Sequence, residues 1–82
     1  MTETRRLWLT FPVEAIKKPI ICQLARQFPT LTFSIHNASV TPQVGIIALE
    51  IQADRPTIQQ AIRWLESHSI QVEPVEINTI EG

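Results

Sequence analysis

Two histidines, one cysteine and a handful of serines are the side chains here that lend themselves to metal binding, proton transfer or nucleophilic attack. His36 and His68 fall on different segments, and neither has a Cys, Asp or Glu at metal-ligand spacing. Cys22 is the single cysteine, which excludes an internal disulfide and every multi-cysteine metal or iron–sulfur site. Ser34 and Ser39 have no visible His–carboxylate relay, and no acidic pair stands out for acid–base work. The two glycines, Gly45 and Gly82, cannot form a phosphate-cradling loop. The expectation is a protein with no enzymatic activity: no catalytic residue, no metal and no cofactor.

Bulk properties exclude further classes. A net charge of −1 gives no electrostatic footprint for nucleic acid, and the Arg5-Arg6 pair is too small to create one. No apolar run approaches the roughly 20 residues of a membrane span, and the first residues lack the apolar core of a signal peptide. These features point to the cytoplasm, with neither membrane insertion nor nucleic acid as partner. With 82 residues, 44% of them hydrophobic, the chain suits one compact domain over 1–82, its ordered core at about 5–77.

Periodicity then supplies the elements that position these side chains. RRLWLTF, residues 5–11, alternates Leu7, Leu9 and Phe11 against Arg6, Trp8 and Thr10, the pattern of a strand closed by Pro12. VEAIKK leads to Pro19, expected in the first turn of a helix whose stripe is Ile21, Leu24, Ala25 and Phe28, with Cys22 a small buried hydrophobe beside it. Lys17 and Lys18 precede this helix as two solvated cations. LTFSIHNASV, residues 31–40, begins with Leu31, Phe33 and Ile35 on one parity and ends with Ala38 and Val40 on the other. One extra residue swaps the faces of a strand, so the step at His36-Asn37 predicts a bulge or bend, with Asn37 tolerating unusual dihedrals.

VGIIALEIQA, residues 44–53, carries apolar residues on both faces and reads as a central strand. Asp54 is a natural N-cap with Pro56 behind it, and Ile58, Ala61, Ile62 and Leu65 form a second helical stripe ending near His68-Ser69. Trp64, at the margin of that stripe, is expected to lie as a lid on the core, and His68 to end the helix where its dipole favours an imidazolium. QVEPVEI, residues 71–77, is a last strand, held to an edge by Pro74, and the tail from Asn78 is expected to fray.

The order β-α-β-β-α-β predicts an α+β, ferredoxin-like sandwich, a four-stranded antiparallel sheet with two helices on one face. Strands one and three are then central. Trp8, Ile46 and Ala48 fall on the uncovered face, together with Ser34, His36 and Val75. A Trp among aliphatic residues on an open sheet marks an interface core, with Trp8, Ile46 and Val75 as its candidate residues.

The order and spacing of RLWLTF, PIICQLARQF, VGIIALEIQ and AIRWLESHSIQVEPV resemble the NIL domain, over about residues 5–76. This is the regulatory domain found at the C-terminus of methionine-importer ATPases. The resemblance implies a homodimer that binds methionine near its second strand. The family's Asn-Ile-Leu triplet aligns with Ser34-Ile35-His36, so Ser34 stands where the family places an amide, with a hydroxyl in its stead. The chain has no P-loop, and one cysteine rules out the iron–sulfur module some relatives carry, so the likeness is to a free-standing domain. The expected function is regulation through a small ligand such as an amino acid, with Ser34, His36 and Asn37 as ligand-binding residues. The alternative is an interaction module that docks on a transporter, redox protein or other regulator without a ligand.

Overall fold

The computed structural model describes residues 2–75. Its elements run β1 Glu3–Phe11, α1 Val13–Ile16, α2 Ile20–Gln27, β2 Thr32–Val40, β3 Gly45–Ala53, α3 Arg55–Ser67 and β4 Gln71–Pro74. The sheet order is β2-β3-β1-β4, and every neighbouring pair is antiparallel. This is the expected ferredoxin-like sandwich, with β1 and β3 central and β2 and β4 at the edges. The expected continuation of the last strand to Ile77, and the tail beyond it, lie outside the described residues.

One helix more than expected is present. VEAI forms the single turn α1, closed by the amides of Ala15 and Ile16 on the carbonyl of Pro12 at 2.9 and 3.1 Å. Proline disfavours a helical residue before it, so Pro19 interrupts the path and becomes the N-cap of α2 rather than part of its first turn. The buried stripe of α2 is accordingly Ile20 and Leu24, with Ile21 and Phe28 half-buried. Cys22 lies two residues from Ile20, roughly 200° around the helix, and is exposed rather than buried.

The second long helix follows its sequence signals closely. Asp54 is its N-cap, and Pro56 lies in the first turn. At the other end Ser69 has φ 67°, the one positive φ outside glycine among the described residues. Its amide reaches the carbonyl of Glu66, and that of Ile70 reaches Leu65, the paired closure of a Schellman motif. Ile70, directly after this turn, is buried at 2% exposure and seals the end of the helix against the core.

The core is a single cluster between sheet and helices. Leu7, Leu9 and Phe11 of β1 and Leu49, Ile51 and Ala53 of β3 meet Leu24 of α2 and Ile58, Ala61 and Leu65 of α3. Trp64 packs against this cluster from the margin, its ring edge-to-face with Phe28 at 6.3 Å and 87°. Leu31 is buried and Phe33 half-buried, but Ile35, of the same parity, is 52% exposed. The edge strand carries it past the helical cover.

The parity step in β2 is a β-bulge. Ile35 pairs with Leu49 and Asn37 with Ala48, leaving His36 as the additional residue. The bulge forms without a positive φ at Asn37. Because His36 is the unpaired residue, its removal leaves all the flanking side chains on their present faces. A chain lacking His36 is therefore expected to fold with a regular β2–β3 ladder, whereas deletion of Ser34 turns Leu31 and Phe33 out of the core. Thermal unfolding of the two deletion variants separates the cases: the first melts within a few degrees of the parent, the second far below it.

Candidate functional site

The face of the sheet away from the helices is a grid set by strand register, since residues paired across neighbouring strands share a face. One row reads Ser34, Glu50 and Arg6; the next reads Asn37, Ala48, Trp8 and Glu73; a third reads Ser39, Ile46, Thr10 and Gln71. Val75 lies just beyond β4, and its amide donates to the carbonyl of Arg6 at 2.9 Å, which places it at the end of the first row. All six residues singled out from the sequence, Ser34, His36, Asn37, Trp8, Ile46 and Val75, thus belong to this one face or its rim. Trp8 and Ile46 remain 39% and 37% exposed.

The middle row has a distinct shape. Asn37 and Trp8 flank Ala48 at a separation of two strand spacings, about 10 Å. A methyl group between an amide and an indole leaves a shallow trough with one polar and one aromatic wall. Ser34 and Asn37 are both exposed beside it.

His36 is fixed by an acid that sequence reasoning did not single out. The Glu50 carboxylate oxygen Oε1 accepts from His36 Nε2 at 2.9 Å and from Arg6 Nε at 3.1 Å. The Arg6 hydrogen bond, then that of His36, hold the Glu50 carboxyl below the usual carboxylate range near 4.5. At the start of β1, Glu3 is held low in the same way by its hydrogen bond from Arg55, at 3.0 Å. The signal for the Arg6–Glu50–His36 clamp is the register of three strands, which no single segment displays.

These two carboxylates set a pH dependence. Each binds its proton less tightly when folded, so the stability each contributes is complete above the unfolded value near 4.5 and fades as pH falls through the lower folded value. Urea midpoints measured from pH 6 down to pH 3 are expected to fall, and Glu50→Gln is expected to flatten part of that slope. A slope identical in the variant would remove the clamp as its source.

The second histidine has a structural place. His68 follows α3 as its C-cap, with Nδ1 donating to the carbonyl of Trp64 at 2.8 Å and its ring 4.1 Å from the indole. It lies on the helical side and does not join His36. Among the described residues no group of three or more His, Cys, Asp or Glu side chains converges on a point that would hold a metal ion. The arrangement on the open face can grip and orient a small molecule or a partner surface; no nucleophile there is paired with a base.

The family model for the NIL domain matches residues 5–74. Among solved structures, the chain is similar to the C-terminal domain of an ABC transporter ATP-binding protein from Enterococcus faecalis, with a TM-score of 0.73 at 20% identity, covering 87% of this chain and 82% of that one. No curated protein matches the chain by sequence.

Proposed function

The chain belongs to the NIL domain family, and from that membership we propose that it is a non-enzymatic regulatory domain which works as a homodimer and binds a small metabolite, an amino acid of the methionine type. The observation that carries the reading is the row Asn37–Ala48–Trp8, which sets an amide, a gap and an indole on one exposed surface. An amide can orient a polar head group, and an indole face can cover an apolar or thioether tail. Ser34 and His36 border the same trough, His36 held in place by Glu50.

Dimerisation fits the dimensions of the face. Three strands of nine residues and one of four give a face of roughly 500 Å², so two such faces together reach about 1,000 Å², the lower bound of a stable interface. Trp8 and Ile46, with Val75 at the rim, are its apolar residues. Regulation of a transporter is the role this reading carries, and it places the protein in the cytoplasm; no helix among the described residues is long and apolar enough to cross a membrane.

Calorimetric titration with a panel of amino acids, methionine first, tests the proposal. Saturable heat that disappears in Asn37→Ala supports it. A folded dimer silent across the panel overturns it.

A second reading rests on β2, whose nine residues form an edge of the sheet with exposed Ile35 and Val40. Such an edge can accept a strand from another protein, here a transporter, a redox protein or another regulator. A stoichiometric protein partner that co-purifies from native extract, with no metabolite requirement, favours that reading over the first.

A further inference from the structure

Away from the open face, the structure has an apolar cavity of about 220 Å³ at the elbow between α1 and α2. Its walls are Phe11, Ile16, Ile20, Ile21, Val40 and Ile47, with Gly45 among them. The elbow exists because Pro19 interrupts the helical path, so the last turn of α1 and the first turn of α2 stand apart instead of stacking. Lys18 is the one charged residue of the wall, and Cys22 lies at its margin. The ion pairs among the described residues engage Arg5, Arg6, His36 and Arg55, which leaves the Lys18 ammonium uncommitted.

We propose that this cavity is a binding site for a short aliphatic carboxylate, its chain among the isoleucines and its charge at Lys18. Size decides the length: an apolar cavity of about 150 Å³ takes benzene, and drug-sized ligands need at least about 300 Å³. The space lies between, which suits roughly seven to nine non-hydrogen atoms. Charge decides the head group. The wall has a cation and no carboxylate, so an anion gains a partner there, whereas the α-ammonium of an amino acid would find none. The site is thus distinct from the trough on the open face in place and in chemistry.

Hexanoate is the probe. Nuclear magnetic resonance titration of the isotopically labelled chain is expected to move the amides of Ile16, Ile20, Gly45 and Ile47, and hexanoate is expected to slow alkylation of exposed Cys22 by iodoacetamide. Lys18→Met is expected to weaken hexanoate about three- to fivefold, the size of a solvent-exposed ion pair, and to leave 1-hexanol unchanged. A Cβ at Gly45 would meet Ile16 and Phe11 at 3.5 Å, ordinary contact, so the backbone tolerates a side chain there. Gly45→Leu is expected to fill the space and end the binding of both probes. Trp8→Ala and Ser34→Ala leave hexanoate affinity unaltered, so failure of the open-face reading and failure of this one show separately. Millimolar hexanoate that moves none of these amides overturns the proposal, as does methionine binding there as tightly as hexanoate, or Lys18→Met weakening hexanoate and 1-hexanol equally.

Discussion

Leu9→Ala is expected to lower the unfolding free energy by about 3–4 kcal/mol, the range for a leucine emptied from a site that cannot collapse. Leu9 is fully buried on the central strand β1, paired with Ile47 on one side and Val72 on the other. Strands on both flanks and helices above leave the neighbours no direction in which to close the void. A domain of 82 residues commands about 4–12 kcal/mol in total, so the loss is a large share of it. The melting temperature should fall by roughly 15–25 °C. Ile35→Ala is the matched control: the side chain is half in solvent, and its removal is expected to cost under about 1 kcal/mol. Equal losses at the two positions would mean that the helices cover β2 as fully as β1.

In the proposed homodimer, Trp8→Ala is expected to weaken self-association by about 2 kcal/mol, roughly thirtyfold in dissociation constant, without unfolding the domain. The indole stands on the face opposite the core, between Ala48 and Glu73 in the grid, and 39% of the residue is open to solvent. That open part is what a partner can cover, while the rest of the ring packs over its neighbours in the sheet. Sedimentation or light scattering at several concentrations reads the shift, and thermal unfolding of the monomer serves as the control. A variant that assembles as the parent does would exclude the open face as the interface and move attention to β2.

Much of this architecture is legible from residue order because each element depends on local chemistry. Alternation in β1 and β3, the Asp54–Pro56 start of α3 and the proline in β4 all act within a few residues of themselves. The bulge was legible too, since an extra residue must swap the parity of apolar positions that follow it. Three departures share a cause. The choice of Ile20 over Ile21 in the stripe, the exposure of Cys22 and the separate turn α1 all follow from how Pro19 joins two helices, a property of the junction rather than of either segment. Ile35 has the alternation of a core residue and lacks only a helix above it. Glu50 is not legible in its own segment because its partners lie on β1 and β2, and its pairing depends on a register that emerges only when the sheet closes.

The two rims of the sheet are unequal, and this limits how the molecule can multiply. Among the described residues, β4 runs for four residues to Pro74, which has no hydrogen to donate; on the other side β2 extends for nine. By edge pairing alone, a sheet with one receptive border can be extended once. Two copies joined head to head along β2 by a twofold axis would complete an eight-stranded ribbon whose outer borders are both the proline-bearing kind, so growth would terminate at the pair instead of propagating into a fibre.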